Sequence, residues 1–270
     1  MKKTLFTLIA ILSLTLLVSC SDKDTDKETE TTTDTTAQVT EDTTVDTVEI
    51  PEPEYTVATE IYADITNERE LAFTYPIFEG IENAEVLNTL LLDESKAFME
   101  NYLTYNHPGE GYYSYDVSSV EAAYMSDRFA SFICTGSLYA DGAAHPIYFA
   151  YTLNVDVENA KLLYFDDIIK DFDTVTELFK NSEFSLIPSK ISELDAEINK
   201  LAPEDLIGSY SELYGIYPPI YFTENDGRVS LALSLETIYT LGSHAEFEVE
   251  YTKVTDALTD GIQNLLKGEK

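Results

Sequence analysis

Arg128-Phe129-Ala130-Ser131-Phe132-Ile133-Cys134-Thr135-Gly136-Ser137-Leu138-Tyr139 is the stretch on which the fold turns. It is rich in aromatic, β-branched and small side chains, and turn signals bound it. Ser126-Asp127 precede it and Ala140-Asp141-Gly142-Ala143 follow. Comparable β-rich runs flank it, Tyr112 to Met125 before and Ile147 to Val157 after. Three long strands joined by tight turns read as an antiparallel meander, long enough to form a curved sheet.

Toward the N-terminus, Val57 to Asp64 alternates and reads as a strand. Leu71 to Tyr75 reads as its hairpin partner, ended by Pro76. Asn83 to Tyr102 has helical spacing, with Val86, Leu87, Leu90, Leu91, Ala97, Phe98 and Tyr102 as its apolar face. Asn106 to Gly111 is a breaker cluster and hence a loop.

Toward the C-terminus, Lys161 to Phe165 reads as a short strand, and Asp166-Asp167 suit a helix start. Helical patterns follow at Val175 to Lys180, Pro188 to Leu201 and Pro203 to Leu213. Pro218 to Thr223 and Arg228 to Leu235 form a hairpin across Glu224-Asn225-Asp226-Gly227. Glu246 to Tyr251 alternates, and Val254 to Leu266 reads as a closing amphipathic helix. The expected class is α+β: antiparallel curved sheets with helices on one face, in two consecutive subdomains, 55–158 and 159–270.

The first residues read as an address. Lys2 and Lys3 precede an apolar run, Leu5 to Val18, too short for a spanning helix. Leu17-Val18-Ser19-Cys20 resembles the bacterial lipobox, in which Cys20 is lipidated and begins the mature chain. Residues 1–19 are then a signal peptide, and acyl chains on Cys20 supply the membrane anchor. Residues 20–54 read as an acidic, Thr-rich tether that cannot bury enough apolar surface to fold. Only Met1 to Thr4 precede the apolar run, so no cytoplasmic segment is expected.

Charge narrows the function. The 270 residues carry 50 acids against 16 bases, a formal −34. Tyr55 to Lys270 alone hold 38 acids and 12 bases, about −26. With so few, scattered bases, a nucleic-acid surface is excluded. Two Cys and three His leave no disulfide framework and little material for a metal or a His-based active site. No cofactor is expected. His107, His145 and His244 lie far apart, and Asp166, Asp167, Asp171 and Asp173 fit no calcium-loop spacing, so helix capping is the better role for the acids. Cys134 reads as a buried free thiol.

The candidate surface is Tyr-rich: Tyr102, Tyr105, His107, Glu110, Tyr112, Tyr113 and Tyr115. Tyrosine offers large contact area with few rotamers to lose and a polar tip. Interleaved with acids, it suits a cationic protein or a glycan. The same residues also suit a strand: Tyr113 and Tyr115 share one face and Tyr112 takes the other, so one side packs in a core.

Some motifs are familiar. Phe73-Thr74-Tyr75-Pro76-Ile77-Phe78-Glu79-Gly80, followed by Asn83 and Leu87-Asn88, resembles the start of the PdaC-like domain of unknown function. Tyr139-Ala140-Asp141-Gly142-Ala143-Ala144-His145-Pro146 is similar to the Gly-Gly-Ala-His turn of such proteins, with Ala143 where the family often has Gly. Leu162 to Asp167 and Tyr221 to Asn225 resemble the RsiV-like domain that follows. The resemblance implies an extracytoplasmic binding module. RsiV-type proteins are anti-sigma factors whose outer domain binds lysozyme, and PdaC-type proteins carry a peptidoglycan deacetylase. With no histidine pair at metal spacing, a fused deacetylase is not expected. The expected function is therefore a non-enzymatic lipoprotein that binds a lysozyme-like basic protein or a peptidoglycan fragment. The alternative is a cell-wall glycan-acting enzyme or accessory domain using paired carboxylates, for which no pair stands out.

Overall fold

A computed structural model describes residues 53–106, 112–189, 191–212, 215–238, 240 and 242–267. The apolar run, Cys20 and the tether up to residue 52 lie outside the described residues.

The meander forms as its patterning requires: β3 (Tyr113–Met125), β4 (Phe129–Ala140) and β5 (Ile147–Asp156). Both turns close with a main-chain bond, Ser126 N to Phe129 O at 2.8 Å and Ala143 N to Ala140 O at 3.0 Å. Two register shifts in β3, between Val117 and Ser119 and between Ala122 and Tyr124, curve the sheet. Opposite the first shift, Gly136 brings β4 so close that a Cβ would stand 2.3 Å from Asp116 O.

β1 (Thr56–Ile65) and β2 (Arg69–Glu79) extend this sheet, and β6 (Lys161–Leu163) closes its other side, giving the order β1-β2-β3-β4-β5-β6. Pro76 does not end β2. β3 pairs only with Arg69–Phe73, so beyond Phe73 no described strand pairs that edge of β2 and Pro76, opposite Thr59, needs no N–H there; at Phe78 the Asn88 side chain takes over, accepting the N–H at 2.7 Å and donating to the C=O at 3.1 Å.

β2 and β3 are parallel, the only such pair among the described strands. Parallel neighbours need a crossover, and α1 (Ala84–Asn106) supplies it. Its inward row is Leu87, Leu91, Ser95 and Met99, all fully buried, whereas Val86 is 53% exposed and Ala97 also faces out. Each of the three apolar residues contributes about 1.5–3 kcal/mol by leaving water.

The second sheet has the order β7-β10-β9-β8: β7 (Ser185–Leu186), β8 (Ile220–Asn225), β9 (Arg228–Glu236) and β10 (His244–Glu250). Asp226 and Gly227 both have positive φ, 53° and 76°, the two-residue turn whose twist suits a hairpin. Helices cover one face of this sheet: α2 (Phe165–Ile168), α3 (Phe172–Lys180), α4 (Ser192–Ile198), α5 (Pro203–Ile207), α6 (Tyr251–Val254) and α7 (Asp260–Leu266). The closing helix is broken. Leu258 is extended and bridges Ile169, and Thr259 spends its N–H on Ile168 O (2.9 Å) and its hydroxyl on Asp167 O (2.6 Å). Helix resumes only after Thr259, yet Leu258, Ile262, Leu265 and Leu266 are all buried as the pattern requires.

The fold is thus α+β, with curled, mainly antiparallel sheets. α1 packs on one face of the first sheet, and β8 of the second sheet lies across the other. Among the described residues no helix is long and apolar enough to cross a membrane.

Candidate binding groove

The fold splits the Tyr-rich stretch: Tyr102, Tyr113 and Tyr115 join one aromatic cluster with Phe149, and Tyr112 points to the surface. Tyr105 has its backbone in α1 but its side chain lies outside the described residues, as do His107 and Glu110 entirely. Tyr112 is 38% exposed and donates to Glu70 Oε2 at 3.0 Å. Tyr113 is half-buried, edge-on to Tyr115 with centroids 5.9 Å apart. Tyr115 is 1% exposed and presents nothing to a partner. Its hydroxyl has no hydrogen-bond partner, and burial pushes its ionisation far upward.

Tyr102, which shares Phe149 with Tyr115, also lines a groove of about 490 Å³, a size typical of ligand sites. Tyr148, Tyr210 and Tyr217 join it, with Ile147 and Ile216 between them. Ile147 (40%), Tyr148 (46%) and Ile216 (51%) are exposed large apolar or aromatic side chains. Tyr217 is held by a face-to-face stack on Phe165, centroids 3.8 Å apart at 9°, and Tyr102 packs on Phe149 at 5.0 Å.

The groove's one lining carboxylate is Glu236, which makes no ion pair among the described residues, and no Lys or Arg lines the groove among them. Burial, then the Glu236 charge, pushes the Tyr102 hydroxyl up to about 12. Tyr210 is likewise raised to about 12, chiefly by burial, while its oxygen accepts the Glu236 N–H at 3.3 Å. Both stay neutral donors at physiological pH. At the far wall His244 Nδ1 is 2.7 Å from Glu246 Oε1, which also accepts from Ser234 Oγ at 3.1 Å. A carboxylate only accepts, so this contact places the imidazole proton on Nδ1.

The remaining candidates have structural duties. Asp167 takes Lys161 Nζ at 2.8 Å and Tyr164 N at 3.0 Å, and Asp171 caps α3 through Thr174 N at 3.1 Å. Cys134 is fully buried, and desolvation raises its thiol to about 12. His145 is exposed on the β4–β5 connection. Among the described residues no three His, Cys, Asp or Glu side chains are placed to hold a metal ion.

No protein-family model and no curated protein matches the chain. Solved structures similar to it include a member of the DUF3298 family from Bacteroides fragilis, 14% identical, with 80% of this chain and 99% of that chain covered at a TM-score of 0.46. A DUF3298 family protein from Pseudomonas aeruginosa is 12% identical, with 80% and 97% covered at a TM-score of 0.41. Both neighbours are domains of unknown function.

Proposed function

We propose that this protein is a cell-envelope lipoprotein, anchored through Cys20 on the outer side of a membrane, whose folded part is a non-enzymatic binding module for a cationic protein of the lysozyme kind. The observation that carries the reading is the groove: four tyrosines and two exposed isoleucines beside Glu236, with no lining Lys or Arg among the described residues. A Lys or Arg side chain entering it gains ring-face attraction, about 0.5–2 kcal/mol each as water is excluded. The surrounding −26 of Tyr55 to Lys270 speeds encounter with a basic partner. The resemblance to RsiV-like domains points to the same partner class.

The test is titration of the full chain with a basic lysozyme, in parallel with soluble peptidoglycan fragments. Lysozyme is expected to bind, with an on-rate that falls as salt shortens the Debye length from ~10 Å at 0.1 M to ~3 Å at 1 M. Binding of the fragments alone would replace the cationic protein with a glycan ligand. Binding of neither would end the reading.

A further inference from the structure

The groove runs along a sheet edge that no described strand pairs. β6 pairs with β5 only at Asn154–Asp156, so among the described residues Ile147 to Leu153 are hydrogen-bonded to β4 on one side and to no strand on the other, although β10 lies near β5. The phase of the β4–β5 ladder settles which groups face outward. Val157 N bonds Arg128 O at 2.9 Å, so these two form a hydrogen-bonded pair. The register is unbroken from there to Ile147. In an antiparallel ladder such pairs alternate. Odd residues of β5 therefore bond β4, and the main-chain N–H and C=O of Tyr148 and Ala150 point away from it. Among the described residues neither has a main-chain partner on that side. Both line the groove, together with Tyr102, Phe149, Ile216 and Tyr217.

The geometry points to β-strand addition: an extended, lysine- or arginine-bearing segment of the partner pairs with the Tyr148–Ala150 edge of β5, its alternate side chains seated among the groove tyrosines. This rests on the proposed cationic partner and names how it is held. Main-chain bonds supply affinity, and the flanking pockets select side chains. Charge decides the occupant. The chain's own tether, Ser21 to Glu54, carries twelve acids against two Lys, and a second copy carries the same −26 body, so both are repelled by Glu236 and its surroundings. A cationic segment is not.

The full chain is titrated with the peptide Lys-Val-Lys-Val-Lys-Val-Lys, with the same peptide N-methylated at alternate residues, and with a basic lysozyme, while amide exchange is followed residue by residue. The inference expects exchange at Tyr148 and Ala150 to slow at least tenfold with the plain peptide, that at Phe149 and Tyr151 to stay unchanged, and the N-methylated peptide to bind at least tenfold more weakly. Equal binding of the two peptides, or no alternation in protection, overturns strand addition. If lysozyme still binds in that case, the cationic-partner reading survives without it. If the plain peptide shows the alternation and lysozyme does not bind, strand addition stands and the lysozyme reading falls. If nothing binds, both fall.

Discussion

Ser131 Oγ donates to Asn154 Oδ1 at 2.6 Å, and the pair grips the outer edge of β8. Asn154 Nδ2 donates to Ile220 O at 2.9 Å, and Phe222 N donates to Ser131 Oγ at 2.9 Å. All these groups are buried, and β8 is an edge strand of its own sheet. Two side chains of the first sheet thus satisfy main-chain groups that an edge would otherwise leave open.

Ser131→Ala is expected to destabilise the protein by about 2 kcal/mol, because Phe222 N–H and Asn154 Oδ1 lose their partner without gaining water. Asn154→Ala should cost a similar amount. The double variant should cost less than the sum, since the two belong to one network. Urea denaturation of the four proteins measures this; full additivity would show that the two side chains act separately.

Gly136→Ala should destabilise by about 1–3 kcal/mol, the usual range for overpacking. The new Cβ would meet Asp116 O at 2.3 Å and Phe149 Cζ at 2.8 Å, and the first of these is backbone that cannot swing aside. Thermal unfolding within error of the parent would mean the β3 irregularity moves freely.

Asp171 gives a pH signature. Bonds from the Thr174 hydroxyl, then from its N–H, hold the Asp171 carboxyl below its ordinary value. A depressed carboxyl contributes stability that is fully present above its unfolded value and lost as pH falls through its folded value. Asp171→Asn keeps an N-cap acceptor but cannot titrate. The parent should therefore exceed the Asn variant in melting temperature at neutral pH, and the gap should close as pH falls below the ordinary Asp value of 3.8 and through the lower folded value. A gap that is constant down to acid unfolding would contradict this.

The parts of the fold legible in sequence are those set by neighbours in the chain. The β3–β5 turns and the Asp226-Gly227 hairpin carry their geometry locally, and the structure places them where the patterns do. Pro76 misleads because its tolerance depends on where a distant strand, β3, stops. The closing helix misleads because Thr259 is diverted by α2, far away in sequence. The site follows the same rule. Tyr102, Tyr148, Tyr210 and Tyr217 are spread over more than a hundred residues and meet only in the folded chain. Tyrosines crowded in sequence, by contrast, alternate between faces, and Tyr115 goes into the core. The exposure of Ile147 and Tyr148 beside a strand edge is the signal that reveals the groove, and it exists only in three dimensions.

In the proposed function the groove, not overall charge, recognises the partner. Tyr148→Ala removes an exposed ring of the groove, whereas Tyr112→Ala removes an exposed ring bonded to Glu70 and outside it. Neither changes net charge. The deciding measurement is the lysozyme dissociation constant of the full-length parent and both variants at one salt concentration, by titration calorimetry. The account expects Tyr148→Ala to weaken binding at least tenfold, about 1.4 kcal/mol, and Tyr112→Ala to match the parent. Equal affinity of Tyr148→Ala and parent, with both folded, would contradict it.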